Sequence, residues 1–458
     1  MPTDRLSDTA LVLMHRARPD VAIAFLAVAA ALAAASAALV GGCVPDDGGL
    51  PLDQPLFPTG LAVAADRLLV VSSDFDLANN QGALLAAELA VVRAAVAPAG
   101  AAEVVPGVDA YKAAAVLPPL GDRPVLTSGG ERVYVPTRST NRVVVLDIGA
   151  DGALSCGDVV EKNGAPLCGE SKNALQLTAN DPFDTVILQE TSEGGALVRV
   201  DAMQTLLSSP EVLFFSDDTR RAGSLRVQLD DTKNLGAAIG GVRSAVLRPA
   251  VAGSDAVVIA AADLSREASL IGARLLLFAP LATSDIRSFD VTLATGSLSM
   301  RDILLVPGQN GENDALIAVL RDPDALARFE IEEAGAVPDV RMSALTPTCR
   351  APQSLALATL PSLAGTVDRV LVTCREGDVV QAVDPRTLRT TDAVRFLGRG
   401  PYDVAVNGAV DPVEVYVSFF LDNSIGVLRF LADEGGEAHL VADGRIGKAV
   451  PRPEDGRE

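Results

Sequence analysis

A unit of about fifty to sixty residues recurs along the chain, and this repeat limits the possible folds more than any other feature. Each copy has a Pro- or Gly-led apolar stretch, a turn, and a β-branched run that ends in Ser, Thr or Cys. In the clearest copy, residues 398–431, apolar and polar residues alternate in three short segments, as is typical of half-buried β-strands. We expect His439–Val441 to add a fourth strand to this copy.

Seven copies of the unit predict a closed ring of small sheets. The copies begin near residues 58, 124, 182, 242, 301, 352 and 401. A four-stranded unit of this size cannot bury both of its faces alone, so neighbouring units must stack on one another until they close a ring. We therefore predict an all-β fold, a seven-bladed β-propeller. Six or eight blades are the alternative, because the second, fourth and fifth copies are weak.

Two segments have a helical pattern that competes with the strands. They are Ala83–Ala97, which is rich in Ala, and Asp324–Ile331. Two short helices are too few for the regular alternation of strands and helices in α/β folds. The all-β prediction is therefore preferred.

The N-terminal segment has the features of an export signal. Residues 21–40 are 20 consecutive uncharged, Ala-rich positions that follow Arg16 and Arg18, as in the basic flank and apolar region of a secretory signal. About 20 apolar residues can also span a bilayer as a helix. The sequence Val40-Gly41-Gly42-Cys43 favours a signal, because it resembles the bacterial lipobox, in which two small residues precede an acylated Cys. An uncleaved membrane anchor is the alternative.

Acylation of Cys43 would define how the mature chain is organised. We expect a lipoprotein signal peptide at residues 1–42, a flexible tether at 43–57, the β-propeller at 58–446 and a disordered tail at 447–458. Two or more acyl chains hold a protein stably on a membrane. The expected location is the cell envelope. Val44 rather than Asp after Cys43 points to the outer membrane, with the protein facing the periplasm or the cell surface.

Four cysteines remain if Cys43 carries lipid, namely Cys156, Cys168, Cys349 and Cys374. An even number of cysteines in an exported chain predicts disulfides, and three pairings are possible. Cys156 and Cys168 flank a loop that a local bridge would close. Zinc is not expected, because the spacing does not match paired zinc ligands and no His lies nearby.

The Cys349–Cys374 bridge is predicted from a hairpin. Cys349 precedes one apolar run and Cys374 ends a second, and we expect the runs to pair antiparallel through a turn near Pro361–Thr366. In that register the two cysteines would lie opposite each other, at a Cα separation that a disulfide accepts.

Few residues in the sequence could carry catalysis. His15 and His439 are its two histidines, and His15 precedes the predicted cleavage site. Catalysis by Ser-His-Asp or Cys-His groups and metal sites with several His ligands are therefore disfavoured. His439 is expected on the solvated surface, and no Gly-rich phosphate loop is present. We predict no catalytic or cofactor-binding residues, which favours a protein that is not an enzyme.

One loop groups oxygen ligands of the kind that calcium binds. Asp74, Asp76 and Asn79 follow the best strand of the first copy. Calcium takes six to eight such oxygens, but the spacing does not match the D-x-[DN]-x-[DN]-G loop of known calcium sites. Asp, Asn and Gly are also ordinary turn residues. We expect a turn and no cofactor, with a calcium site as the alternative.

The charge of the chain limits its partners. The formal net charge is −21, from 59 acidic and 38 basic residues. A surface this acidic repels nucleic-acid phosphates and anionic lipid headgroups. Nucleic acid is therefore not an expected partner, and the acidic residues are expected to form a solvated surface.

The repeat residues resemble a known family. Pro401–Val406, followed by Val415–Ser418 and Asp422–Val427, resembles the YVTN-repeat β-propellers, and Glu131–Asp147 is similar to the second half of that repeat. The resemblance covers two or three units. It implies the propeller fold and leaves the function open, because the family includes surface-layer and periplasmic proteins and overlaps lactonase-like propellers.

Three functions follow from these features. We expect a membrane-tethered binding or scaffold module in the cell envelope, with a lipid anchor and a protein, peptide or glycan partner. The first alternative is a lactonase-like or metal-assisted hydrolase that uses carboxylates in the central channel, and the second is a purely structural envelope protein. Carboxylates and arginines that converge at one mouth of the channel would favour the hydrolase. The absence of such a cluster, together with a broad apolar or acidic loop face, would favour binding.

Overall fold

The computed structural model describes residues 51–447, apart from positions 78, 100–102, 106–109, 158–160, 163, 222–224, 252–254, 266–270, 281–285, 310–311, 334 and 363–364. The predicted signal peptide, Cys43, the start of the tether and the tail from residue 448 lie outside the described residues. None of the helices in the described part of the chain has the length and apolarity to cross a membrane.

Seven antiparallel sheets follow one another along the chain, which confirms the seven-bladed β-propeller. Each blade begins with its innermost strand. Blades 1 and 2 comprise β1 (Pro58–Ala64), β2 (Arg67–Ser72), β3 (Gly82–Glu88) and β5 (Tyr111–Leu117), then β6 (Val125–Leu126), β7 (Arg132–Thr137), β8 (Arg142–Ile148), β9 (Leu154–Ser155) and β12 (Ala174–Gln176). Blades 3 and 4 comprise β13 (Pro182–Glu193), β14 (Ala196–Leu206), β15 (Glu211–Asp218) and β16 (Val227–Asn234), then β17 (Ile239–Arg248), β18 (Val257–Leu264), β19 (Ala273–Phe278) and β20 (Arg287–Asp290).

The last three blades repeat the same order. They comprise β21 (Ser299–Val306), β22 (Ala315–Arg321), β23 (Ala325–Glu332) and β24 (Asp339–Pro347), then β25 (Pro352–Ser362), β26 (Gly365–Cys374), β27 (Val379–Val383) and β28 (Thr390–Arg395), and finally β29 (Pro401–Asn407), β30 (Glu414–Phe419), β31 (Ser424–Ala432) and β32 (Ala438–Gly447). The elements outside this pattern are α1 (Leu89–Ala99), β4 (Val104–Val105), a hairpin of β10 (Glu161–Lys162) and β11 (Ala165–Pro166), and α2 (Val291–Thr295).

The repeat predicted the blades closely. Every innermost strand begins within three residues of its predicted start, and the strand expected at His439–Val441 is part of β32. The helical pattern at Ala83–Ala97 is half correct, because its first residues belong to β3 and its last to α1. The pattern at Asp324–Ile331 is wrong as a helix. That segment is β23, whose hydrogen bonds to β22 and β24 outweigh its local helical preference.

The hydrophobic core lies between neighbouring blades. One cluster joins Leu69 and Leu84 of blade 1 to Val133 and Val144 of blade 2, and all four side chains are fully buried. Removing apolar surface from water stabilises a fold by about 25 cal/mol per Å². Because each blade buries its faces against its neighbours, the stability of the fold depends on the contacts between adjacent blades.

Blades 1 and 7 close the ring without exchanging an antiparallel strand. We define the closing segment as α1 and β4, which follow β3 of blade 1. Strand β4 pairs in parallel with β32 at the outer edge of blade 7. From α1, the guanidinium of Arg93 donates hydrogen bonds to both carboxylate oxygens of Glu414 in β30, with 2.8 Å between Nη2 and Oε2. Val92 of α1 packs in one core cluster with Tyr416 of blade 7.

Both predicted disulfides are present. The Cα atoms of Cys156 and Cys168 lie 5.6 Å apart, and those of Cys349 and Cys374 lie 5.8 Å apart. The register argument for the second bridge is wrong, however. Cys374 pairs across the sheet with Pro352, and Cys349 lies in the connection before β25. The bridge therefore ties the entry of blade 6 to the end of its second strand.

Candidate functional site

A β-bulge shapes the wall of the central channel. The innermost strands of blades 1 and 3 to 7 each shift register near their start, after Pro58, Pro182, Val242, Met300, Pro352 and Pro401. A bulge places an extra residue in one strand and changes the direction of its side chains. As a result, two consecutive side chains in each of blades 3 to 7 line the channel.

The channel narrows to a small polar cavity of about 40 Å³. This volume holds a few water molecules or one small polar group. The lining residues from blades 3 to 7 are Phe183 and Asp184, Arg243 and Ser244, Arg301 and Asp302, Gln353 and Ser354, and Tyr402 and Asp403. Thr59 of blade 1 and the pair Asp122 and Arg123 before blade 2 complete the wall.

Three aspartates of the innermost strands each bind their own blade to the next one. The Oδ2 atoms of Asp302 and Asp403 accept hydrogen bonds from the backbone N–H groups of Leu355 and Leu61, each at 2.8 Å. Asp184 accepts in the same way from the N–H of Ala245, at 3.1 Å. These bonds link blade 3 to blade 4, blade 5 to blade 6, and blade 7 back to blade 1.

Two serines link blade 4 to blade 5 and blade 6 to blade 7. The Oγ of Ser244 donates to Oδ1 of Asp302 at 2.8 Å, and the Oγ of Ser354 donates to Oδ1 of Asp403 at 2.7 Å. We call Asp184, Ser244, Asp302, Ser354 and Asp403 the channel belt. Both carboxylate oxygens of Asp302 and of Asp403 are therefore used to join blades.

Arg123 forms ion pairs with two aspartates of the channel belt. Its Nη2 lies 2.9 Å from Oδ2 of Asp302 and its Nε lies 3.1 Å from Oδ1 of Asp403. Burial lowers the pKa of Arg123, but the two carboxylates outweigh burial and raise that pKa well above its ordinary value. The single positive charge of Arg123 is thus shared between two buried aspartates and offsets part of their negative charge.

Asp122 and the belt residue Asp184 have raised pKa values. Burial raises the pKa of Asp122 to about 7, although Nε of Arg138 lies 2.9 Å from its Oδ2. Burial also raises the pKa of Asp184 to about 6, despite the opposing charge of Arg123. Desolvation outweighs the ion pairs at both residues. The channel therefore contains carboxyl groups that titrate near neutral pH.

Arginines gather at one end of the channel, beside the starts of the innermost strands. Arg243 is paired, with 2.6 Å between its Nε and Oδ2 of Asp263. Arg321 donates to the carbonyl oxygen of Pro352 at 3.0 Å and to Oε1 of Gln353 at 2.6 Å. Arg301 makes no hydrogen bond or ion pair with any residue in the described part of the chain. We call Arg243, Arg301 and Arg321 the arginine mouth.

Burial and mutual repulsion act on these arginines. Burial lowers the pKa of Arg301 to about 10, and the charges of Arg243 and Arg321 add to this effect. Burial likewise lowers the pKa of Arg321. A guanidinium is favoured near a carboxylate or phosphate and disfavoured near other cations. Acidic groups oppose this repulsion, because Asp263 raises the pKa of Arg301 and Asp324 raises that of Arg321.

Aromatic side chains surround the same end of the channel. The ring of Phe420 stacks on Tyr402 with 5.5 Å between centroids, and it contacts Phe57 and Phe75 at 5.3 and 5.2 Å. The guanidinium carbon of Arg375 lies 5.3 Å from the Phe420 centroid. We call Phe57, Phe75, Tyr402 and Phe420 the aromatic platform. Because Tyr402 also lines the channel, the platform is continuous with the arginine mouth.

The rim of the platform is exposed and apolar. Phe75 and Leu77 in the β2–β3 loop are 48% and 46% exposed, and Leu421 in the β30–β31 loop is 45% exposed. Large apolar side chains that cluster on a surface commonly mark a contact site. The exposed apolar loop face expected of a binding module is therefore present, but so is the convergence of carboxylates and arginines in the channel that was expected of a hydrolase.

The predicted calcium ligands form a turn. The carboxylate of Asp74 is buried and accepts hydrogen bonds from the backbone N–H groups of Asn79 and Gln81, each at 3.1 Å, and from Nδ2 of Asn79 at 3.1 Å. Asp76 lies exposed on the same loop. No group of three or more His, Cys, Asp or Glu side chains suited to a metal ion occurs among the described residues. The oxygens of Asp74 thus serve the loop itself.

His439 lies on the solvated surface of blade 7, as expected. It is 47% exposed, and its Nδ1 lies 3.0 Å from Oδ1 of Asp392 on blade 6. The hydrogen bond with Asp392 raises the pKa of His439. His439 lies on β32, the fourth strand of blade 7, and does not line the channel cavity.

The sequence interpretation did not predict the channel belt or the arginine mouth. A local signal for the belt exists, because three copies begin with Pro, any residue, and then Asp or Ser. These are Pro182–Asp184, Pro352–Ser354 and Pro401–Asp403. Nothing local distinguishes Arg301 and Arg321 from surface arginines, because their grouping depends on how blades 5 and 6 pack.

Comparisons with known proteins agree with the fold. No protein-family profile and no curated protein sequence matches the chain. The YVTN-repeat resemblance therefore rests on the repeat residues alone. Among solved structures, the hydrazine synthase of Kuenenia stuttgartiensis matches with 13% identity and a TM-score of 0.50, over 85% of this chain and 99% of that one.

Two further structures illustrate the range of propellers that are similar. The β-propeller domain of Cps50 (Swd1) from Myceliophteria thermophila matches with 8% identity and a TM-score of 0.51, over 81% of this chain and 96% of that one. A Bacteroides fragilis protein proposed to be a 6-phosphogluconolactonase matches with 16% identity and a TM-score of 0.48, over 76% of this chain and 86% of that one. At these identities the likeness shows a shared fold and no shared activity.

Proposed function

We propose that this protein is a lipid-anchored, extracytoplasmic binding module of the cell envelope. Its partner is a protein, peptide or glycan, and the partner docks on the face that carries the aromatic platform. Loops at one end of a propeller commonly form such a contact surface. The lipid anchor at Cys43 would keep this face outside the cytoplasm, on the outer membrane.

The channel belt is the observation that carries the choice of binding over catalysis. Carboxylates and arginines do converge in the channel, which is the arrangement expected of a hydrolase. However, both oxygens of Asp302 and Asp403 are already used to join blades, and both residues are buried. A cavity of about 40 Å³ also gives a substrate little room to reach them. The belt therefore supports a structural role for these acids.

The two disulfides support the proposed compartment. Disulfides form and persist in oxidising environments and are rare in the bacterial cytoplasm. The Cys156–Cys168 bridge closes a loop of blade 2, and the Cys349–Cys374 bridge ties the entry of blade 6 to the end of its second strand. The disulfides and the lipobox therefore both support an extracytoplasmic location.

Partner capture tests the proposed face. The full-length chain, solubilised with detergent, is used to capture partners from envelope extracts, with and without calcium. Replacement of Phe75 and Leu421 by Ala removes exposed apolar contacts from the platform rim and should reduce specific capture at least tenfold. The matched control is Leu225→Ala, because Leu225 is 55% exposed in the β15–β16 loop at the other end of the propeller. Equal capture by both variants would contradict the proposed face.

A hydrolase is the second candidate, and Asp122 is the observation that favours it. A carboxyl group with a pKa raised to about 7 can donate and accept protons near neutral pH. Hydrolysis of simple lactones by the purified chain, lost in Asp122→Asn and retained in Asp66→Asn, would support this function. Asp66 is an exposed turn residue outside the channel. No turnover above the uncatalysed rate would reject it for these substrates.

A further inference from the structure

The three most exposed large apolar side chains among the described residues lie on the face that carries the aromatic platform. Leu293 is 86% exposed, Phe396 is 73% exposed and Ile271 is 68% exposed. Ile271 lies between β18 and β19, Leu293 lies in α2, and Phe396 lies between β28 and β29. Because the strands of each blade are antiparallel, all three connections are at the end of the propeller where the innermost strands begin. We call these residues the apolar fringe.

Helix α2 holds Leu293 in its exposed position. The helix begins at Val291, whose side chain is fully buried in the core between blades 4 and 5. The next residue, Thr292, accepts a hydrogen bond at its Oγ1 from the backbone N–H of Ala273, at 2.7 Å. This bond ties α2 to the start of β19, two residues after Ile271. Leu293 is therefore presented to solvent by an element that is anchored in the core.

Phe396 has a backbone conformation that Gly or Asn adopts far more readily. Its φ is 58°, in the left-handed region where a bulky side chain is disfavoured. Leu77, which is also exposed on this face, has a φ of 55°. A turn that meets water alone would favour Gly or Asn at both positions. Large apolar side chains at these positions therefore point to an apolar surface in contact with them.

The exposed apolar residues are spread around the ring. Ile271 and Leu293 belong to blade 4, Phe396 follows blade 6, and Phe75 and Leu421 belong to blades 1 and 7. Blades 1 and 4 lie on nearly opposite sides of a ring of seven. A peptide or a small domain would cover one side of this face, whereas a lipid bilayer is wide enough to contact every blade. The distribution therefore favours a bilayer as the surface that the fringe contacts.

The tether ends on the same face. The backbone N–H groups of Leu56 and Phe57 donate to Oγ of Ser72 and to Oδ1 of Asn423, each at 2.8 Å, so the chain enters the propeller beside the platform. Cys43 lies thirteen residues before Leu56, a reach of at most about 45 Å when fully extended. An anchor at Cys43 would thus keep this face close to the bilayer. Because tethering raises the effective concentration of the face at the membrane, weak apolar contacts suffice to hold it there.

We propose that the platform face lies on the bilayer that holds the anchor, with the apolar fringe in contact with its lipids. This inference rests on the proposed lipid anchor. It deepens the proposed function, because the partner of the aromatic platform is then a component of the same membrane. The net charge of −21 repels anionic headgroups, so the expected surface is zwitterionic lipid. Leu and Phe side chains bury readily at the boundary between headgroups and acyl chains.

A single Trp reports contact with lipid, because the chain has none of its own. Leu293→Trp and Phe396→Trp are made in the full-length chain, which is reconstituted with phosphatidylcholine vesicles whose acyl chains are or are not brominated. Bromine quenches a Trp that touches the acyl chains. We therefore expect the emission of both variants to fall about twofold and to shift to shorter wavelength. The control is Leu225→Trp at the other end of the propeller, whose emission should be unchanged.

The outcomes separate this inference from the proposed function. Flotation of the vesicles shows whether the protein is attached, and thermal unfolding shows which variants have folded. Attached protein in which Leu293→Trp and Phe396→Trp are quenched no more than Leu225→Trp would overturn the bilayer contact and leave the anchor intact. A wavelength shift that appears only after envelope extract is added would also overturn it, and would assign the fringe to a protein partner.

Protein that does not float with the vesicles would refute the anchor, and the bilayer contact would be refuted with it. Partner capture in detergent, where no bilayer is present, tests the aromatic platform independently of the fringe. If only one of the two Trp variants folds, its quenching relative to Leu225→Trp decides the result.

Discussion

At the scale of single residues, burial determines what the channel acids do. Asp302 and Asp403 lie beside Arg123, and their carboxylate oxygens accept hydrogen bonds that join neighbouring blades. Asp122 and Asp184 lie in the same wall, where desolvation outweighs their charged neighbours and raises their pKa values.

The raised pKa of Asp122 predicts how stability changes with pH. Its pKa is about 7 in the folded protein and about 3.9 in an unfolded chain, so the folded state holds the proton more tightly. The resulting stabilisation is complete below about pH 4 and is lost as the pH rises to about 7. Asp122→Asn should remove this dependence, which is on the order of a few kcal/mol at most. Urea unfolding between pH 4 and pH 7.5 measures the difference.

The control for this measurement is Asp66→Asn, because Asp66 is exposed. That variant should follow the wild-type dependence on pH. If Asp122→Asn and wild type lose stability in parallel between pH 4 and pH 7.5, then Asp122 is ionised throughout and the burial argument for this residue is wrong.

At the scale of elements, the closing segment links blade 1 to blade 7. Its strand β4 adds a fifth strand to blade 7, and its helix α1 packs on the same blade. The ion pair between Arg93 and Glu414 links α1 to β30 of blade 7. Glu414 also accepts from Oη of Tyr416 at 2.8 Å and from Nδ2 of Asn407 at 3.1 Å, so its carboxylate is fixed in place.

Loss of the Arg93 side chain should weaken the closure of the ring. Arg93→Ala leaves the Glu414 carboxylate, whose side chain is only 7% exposed, without its cation. Breaking a fully buried pair costs about 3–5 kcal/mol, but Arg93 is 40% exposed and solvent screens the pair. We therefore expect a loss of about 1–2 kcal/mol in the free energy of unfolding, measured in urea.

Arg341→Ala is the matched control for the closing segment. Arg341 is 60% exposed on β24 and pairs with Glu330 and Glu332, so solvent screens its ion pairs and its loss should cost less than the loss of Arg93. An equal cost in both variants would show that the closing segment adds no more than a surface ion pair.

At the scale of the whole molecule, the structure shows the seven-bladed propeller, whereas the lipid anchor is a proposal. The seven blades fold around one another through contacts among described residues from β1 to β32. The proposed anchor, Cys43, lies outside the described residues. The two can therefore be tested independently.

Replacement of the lipobox cysteine tests the anchor. Cys43→Ser removes the thiol that would be acylated, so the protein should leave the membrane fraction or accumulate as an unprocessed precursor. Fractionation of cells and mass measurement of the product distinguish these results, and the wild type should fractionate with the outer membrane. Cys349→Ser is the control, because it removes a thiol from a disulfide and should stay membrane-bound if it folds. A processed, membrane-bound Cys43→Ser would contradict the lipoprotein proposal.

The sequence by itself determined the all-β class, the seven blades, their starting residues to within three positions, and the presence of four cysteines that could form bridges. These features depend on alternating apolar residues, turns and cysteine count, which can be read locally. The hairpin register at Cys349 and Cys374 could not be read in this way, because a bulge after Pro352 and the position of the turn between Ser362 and Gly365 shift the pairing.

Only the tertiary structure decided the channel belt, the arginine mouth and the aromatic platform. Arg301 and Arg321 lie on different strands, and Phe75 and Phe420 are separated by almost the whole chain. Their grouping depends on the bulges that turn side chains into the channel and on the closure of blade 7 against blade 1. Short-range periodicity specifies each blade, but the packing of distant blades specifies which side chains meet at the axis.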